Sequence, residues 1–256
     1  MRRIAFTLAL SGSFALLAAL PGYAAKPPAE GLYPDLRTVV PLHLSMMHQG
    51  QRDVLRFSNG ITNTGDGPWA LRPDFQPTVT NAVQEIRDAS GNVVLEKLAS
   101  TFEFHPEHNH WHIGDIALFE VRRGSPTGQI VGGNSVKVTF CLIDWYKLEG
   151  NANTKEREFF DCATSYQGIS VGWVDQYHQA TDGQQLDLTD VPEGSDYYLV
   201  STANHEGAFL EKNYSNNSAW VKFRLYRDGN GNRKVEVTGH SPCSTPGLCG
   251  VGAPNR

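Results

Sequence analysis

An all-β fold, an antiparallel β-sandwich with long functional loops, is what this sequence predicts, and three observations predict it. Short runs of alternating apolar and polar residues recur with turn residues between them. Past the N-terminal apolar run, no segment keeps a strong helical period for more than two turns. The runs also follow one another without the intervening helices that a parallel sheet needs. In order, the candidate strands are Val39–Leu44, Asp53–Thr62, Asn92–Lys97, Trp111–Val121, Ser135–Leu142, Gln185–Leu188, Tyr197–Thr202, Ala219–Tyr226 and Lys234–Thr238. Two polar stretches, Lys147–Ser170 and Gly172–Gly183, read as functional loops. Between the last two strands lies Asp228-Gly229-Asn230-Gly231-Asn232, where alternating Asp and Asn could begin a calcium loop. Such a loop needs Glu at its twelfth position, which here is Gly239, so a hairpin turn is the better reading.

The 256 residues are 40% hydrophobic, enough for one sizeable core. Arg2 and Arg3, the apolar run Ile4–Leu20 and the small residues around Gly22-Tyr23-Ala24 form an export signal, with cleavage after Ala24. The paired arginines leave the export route open. The divisions expected are a signal peptide at 1–24, a linker rich in Pro and Ala at 25–36, and a single catalytic domain at 37–256. Removal of the signal leaves 20 basic residues against 27 acidic ones, a net charge of −7, which argues against a nucleic-acid partner. No later stretch is long and apolar enough to span a bilayer, so a periplasmic or secreted protein is expected. Its four cysteines should then be paired. Of the three possible pairings, Cys141 with Cys162 and Cys243 with Cys249 is favoured, since each pair flanks a polar, turn-rich stretch.

Four of the nine histidines fall within His105-Pro106-Glu107-His108-Asn109-His110-Trp111-His112. On an extended strand, residues two apart face the same way, so His108, His110 and His112 can present three imidazoles to one metal ion. Positions i and i+4 on a flat strand lie about 13 Å apart, so the chain must bend near His108, and Pro106 suits an irregular entry. Three imidazoles suit zinc as well as copper, and the histidines alone do not choose.

The order of motifs around this cluster resembles the lysyl oxidase family. His105, His108, His110 and His112 match its copper signature, and Lys137-Val138-Thr139-Phe140-Cys141-Leu142 is similar to the strand that carries the cofactor lysine. Gln167-Gly168-Ile169-Ser170 followed by Gly172-Trp173-Val174-Asp175-Gln176-Tyr177 is similar to the segment with the cofactor tyrosine. Asp187-Leu188-Thr189-Asp190-Val191 and Tyr214-Ser215-Asn216-Asn217 follow in the family order. The resemblance implies copper on His108, His110 and His112, with His105 outside the first shell. It also implies a lysine tyrosylquinone made from Lys137 and Tyr177, and oxidation of a primary amine or peptidyl lysine by oxygen to aldehyde, ammonia and peroxide. Within that mechanism a Schiff base forms with the quinone and a base removes the α-proton. Asp175, two residues before Tyr177, is the candidate base, with His178 as the alternative. Tyr177 is expected on a mobile loop, on the same side of the fold as the histidines.

Two departures stand out. Animal members carry a histidine seven residues after the last copper ligand, where this chain has Phe119, and a cysteine where it has Trp173. Two other functions fit the histidines alone: an exported copper-binding protein without catalysis, and a zinc hydrolase.

Overall fold

The computed structural model describes residues 30–107, 109–132 and 136–255, with the backbone alone described at 136–138. Two antiparallel sheets pack against one another, as the sequence predicts. The smaller is built on β3 (Arg52–Asn63), whose one half pairs with β2 (Leu42–Gln49) and β13 (Gln185–Asp187) and whose other half pairs with β1 (Leu36–Thr38) and β12 (Trp173–Tyr177). β10 (Tyr146–Lys147) closes the edge beyond β12. With neighbours along both edges, β3 is buried from Val54 to Asn63.

The larger sheet runs β11 (Gln167–Ile169), β4 (Trp69–Phe75), β5 (Thr80–Arg87), β6 (Val93–His105), β7 (His110–Arg123), β14 (Gly194–Ala203), β15 (Ser218–Arg227) and β16 (Arg233–His240). β8 (Gln129–Ile130) and β9 (Val136–Phe140) also pair with β7. Alternation sets the inner face. In β15, Ala219, Val221, Phe223 and Leu225 are buried while Lys222 and Arg224 point away. The sheets meet where Phe57 of β3 packs edge-on against Phe119 of β7, ring centroids 4.9 Å apart. Position 119 is therefore apolar core.

β7 positions the site. Its pairing slips between Ile113 and Ala117, where Asp115 takes a left-handed φ of 57°. The slip lets Ile113 and Ile116 both face the core. On one edge β6 pairs with β7 up to Ile113, and β14 takes over from Ala117.

Both expected disulfides form, Cys141 with Cys162 and Cys243 with Cys249. Asp228 Oδ1 accepts the Asn230 and Asn232 N–H groups in a hairpin turn, as expected. Other expectations need correction. Structure begins inside the stretch read as linker: Leu32 bridges to Arg87 and Leu36 is fully buried in β1. β4 and β5 were not anticipated, and the stretch Gly172–Gly183, read as a loop, contains the whole of β12. The signal at 1–24 lies outside the described residues. No helix among the described residues is long and apolar enough to cross a membrane.

Candidate metal and cofactor site

Two of the three predicted ligands come together. β6 and β7 form a hairpin in which His105 pairs with His110, and the chain between them turns through an Asn109 N–H donated to Pro106 O at 3.3 Å, with Asn109 at a φ of 54°. The bend that the spacing demanded is thus supplied at Pro106 and Asn109. His108 itself lies outside the described residues.

His110 and His112 leave β7 on one face, and their Nε2 atoms stand 2.8 Å apart. Two nitrogens bound to one ion at about 2.0 Å and near a right angle would be separated by about that distance, so the pair fits a shared metal. The other nitrogen of His112, Nδ1, is 3.2 Å from Thr139 Oγ1, and the ring is buried to 8% exposure. A hydroxyl in that position orients the ring and leaves Nε2 turned toward His110. His105 stacks on His112 with centroids 4.1 Å apart, a flanking position that suits its expected place outside the first shell.

The backbone between the two histidines is clamped. Trp111 N–H donates to Cys162 O at 3.4 Å, and Trp111 O accepts the Gln167 side-chain amide at 2.8 Å. Gln167 is fully buried, and its Oε1 accepts the Leu142 N–H at 3.0 Å. One side chain therefore ties the ligand strand to the segment that follows β9.

That segment also holds the tyrosine. Tyr177 Oη accepts the Cys141 N–H and donates to Cys141 O, both at 2.8 Å, and its ring stacks on Phe140 at 3.8 Å. Thr139 and Phe140 are consecutive on β9, so they face opposite ways. The Tyr177 ring consequently sits on the face of β9 opposite the one that meets His112. It stands at the end of a strand rather than on a mobile loop, a correction to the sequence expectation. Pairing of β12 with the buried β3 is the reason. Lys137 lies on β9, its backbone paired with Leu118.

Asp175 is buried on β12 at 5% exposure. Burial pushes its carboxyl well above the ordinary carboxylate range, Asp144 adds to the rise, and the Gln176 N–H opposes it. Asp144 is fully buried too, and its oxygens accept four donors: the N–H groups of Glu158, Phe159 and Ser170 and the Ser170 hydroxyl. Burial first, then Asp175, raise the Tyr177 phenol well above its usual value, against the Cys141 N–H. The alternative base, His178, has Nδ1 occupied by the Ala180 N–H at 3.2 Å.

Thr139, Gln167 and Asp144 were not assigned roles from sequence. Gln167 stood inside a family motif, and Asp144 carried no local signal at all.

An all-β scaffold with two converging histidines on β7 and a tyrosine tethered at the end of β12 carries the motifs in the order the sequence resemblance predicts. The chain belongs to the lysyl oxidase family, whose model matches residues 80–234. It is 30% identical to human lysyl oxidase homolog 3 over 171 residues, 66% of this chain and 18% of that protein. It is 29% identical to chicken lysyl oxidase homolog 2 over 181 residues, 70% of this chain and 19% of that protein. Zebrafish lysyl oxidase homolog 3A is 28% identical over 170 residues, 66% of this chain. The matched region thus spans about a fifth of the length of these relatives.

Proposed function

We propose that the chain is an exported copper-dependent amine oxidase: a primary amine or peptidyl lysine, oxygen and water give aldehyde, ammonia and hydrogen peroxide. The observation that carries this reading is the approach of the His110 and His112 Nε2 atoms to 2.8 Å on a strand bonded to the tyrosine segment. That link runs from Trp111 to Cys162, across the disulfide to Cys141, and on to the Tyr177 hydroxyl. His108, His110 and His112 would hold copper, which when bound would supply the oxidising chemistry that joins Tyr177 to the Lys137 amine as lysine tyrosylquinone, an electrophile that protein side chains lack.

The chain's own residues prepare this. Thr139 orients His112, and Gln167 keeps the ligand strand in register with the segment after β9. Burial favours the protonated Tyr177 phenol and the Cys141 backbone pins it on the far face of β9, so cofactor formation requires Tyr177 to leave Cys141 and swing toward the histidines. Asp175 keeps its proton while buried and becomes a proton acceptor when that movement opens its surroundings to substrate. Phe119, packed against Phe57, takes no part. The acidic balance of the chain favours cationic amines.

Amine-dependent peroxide release from copper-loaded protein tests the reading, with and without a carbonyl reagent that traps quinones. Release that the reagent abolishes supports it. Tight copper binding with no peroxide would make the chain a copper-binding protein, and hydrolysis that proceeds without oxygen would make it a zinc hydrolase.

A further inference from the structure

The geometry points to a second metal site, distinct in its residues from the three histidines and suited to a divalent first-row cation such as zinc, formed by Asp115, His205 and Glu206. Ligand atoms of these three side chains lie within 4.8 Å of one another. They come from two elements fixed independently. Asp115 stands at the slip in β7, and His205 and Glu206 follow directly on the end of β14. The junction is tied by Asn204 N–H donating to Ile116 O at 3.1 Å, which sets His205 opposite Asp115. Asn204 also brackets the turn, its side chain accepting the Phe209 N–H at 3.0 Å and donating to Phe209 O at 2.9 Å.

The observation that asks for a ligand is His205. Its side chain is only 8% exposed, and both ring nitrogens are buried without a hydrogen-bond partner. A buried imidazole left in that state is costly, because each ring nitrogen carries either a proton to donate or a lone pair to accept with. Nε2 stands 3.4 Å from Glu206 Oε1, in contact but not in a hydrogen bond. A cation among the three would take the imidazole lone pair and both carboxylates together.

The donor set selects the class of ion. Calcium takes six to eight oxygens, whereas one imidazole nitrogen and two carboxylates suit zinc, with water completing a four-coordinate shell. Ligand atoms around a tetrahedral zinc are separated by about 3.3 Å, so closure from the present spread needs side-chain movement of roughly 1 Å. Glu206 is half exposed, which leaves the ion a path to solvent. Bound there, it would staple the end of β14 to β7 three residues past His112.

Zinc titration of protein whose histidine site has first been filled with copper tests the site. One further equivalent of zinc is expected, with an X-ray absorption signature of about one imidazole and otherwise oxygen ligands. Asp115→Asn suits the left-handed backbone at φ 57°, so it removes a charge without straining the chain. It and His205→Gln should each weaken zinc binding at least about 100-fold while the copper equivalent stays, since even residues that only support a ligand change metal affinity by 10–100-fold. A zinc-dependent rise in the Tm of the unaltered protein, absent from both variants, would give the same result without a stoichiometry. No further equivalent, a histidine-rich zinc shell, or affinity unchanged in both variants would overturn the assignment.

Discussion

The histidine face of β7 and the tyrosine end of β12 are two halves of one proposed centre, yet they are built in opposite ways. The histidine half is local. Residues two apart on a strand place His110 and His112 side by side, and Thr139 on the neighbouring strand orients one ring. The tyrosine half is long-range. Tyr177 is held by a backbone 36 residues away, on a strand wedged against β3, beside a buried carboxyl whose titration burial pushes upward. The histidine half can therefore form as soon as the β6–β7 hairpin does. On the proposed reading, the tyrosine half must instead be released before it can react.

The largest expected effect breaks the local half. Replacing His112 with Ala removes one of the two nitrogens that converge and the ring that Thr139 orients, so copper stoichiometry in the purified protein should fall from one equivalent to near zero. Retention of a full equivalent in metal analysis would mean that the ion is held elsewhere. Next in size is the link between the halves. Removing the Cys141–Cys162 bridge by a double Ser substitution should lower stability by about 3 kcal/mol, the entropy of a loop of this order. Urea unfolding measures it, and a midpoint equal to that of the unaltered protein would show that the bridge carries no such load.

A smaller effect sharpens the comparison from the tyrosine side. The Asp175 carboxyl is raised above its unfolded value, so between the two values the folded chain binds more protons than the unfolded one. Stability therefore falls as pH rises from the ordinary carboxylate range toward the raised folded value, the opposite of a salt-bridged Asp. Asp175→Asn should flatten that decline, with the variant gaining relative stability at neutral pH. Parallel unfolding curves at pH 4 and pH 7 check it: an equal pH dependence in both proteins would mean that Asp175 is already ionised in the fold.

What could be read from the sequence divides along the same line. The histidine pair, the β6–β7 bend and the hairpin at Asp228 were legible because each is written in a few consecutive residues. Both disulfides were legible from the turn-rich stretches they close. β4 escaped because Pro73 interrupts it, and β5 because Thr80, Asn81, Gln84 and Glu85 dilute its alternation. β12 escaped because Asp175 and Gln176 read as loop residues, and only partnership with β3 makes them strand. No local pattern could have announced the bond from Tyr177 to Cys141, the burial of Asp175 near Asp144, or the meeting of Asp115 with His205.

Tyr177→Phe tests the central claim most directly, because it keeps the ring that stacks on Phe140 and removes only the hydroxyl. Two buried backbone bonds at Cys141 go with that hydroxyl, so a stability loss of about 1–3 kcal/mol should accompany the change and confirm where the tyrosine sits. The decisive readout is amine-dependent peroxide release from the copper-loaded variant, measured beside its copper content. Copper bound to one equivalent and no peroxide above the level of metal-free protein are expected. Peroxide released at the rate of the unaltered chain would contradict the central claim, since Tyr177 would then have no part in the oxidation.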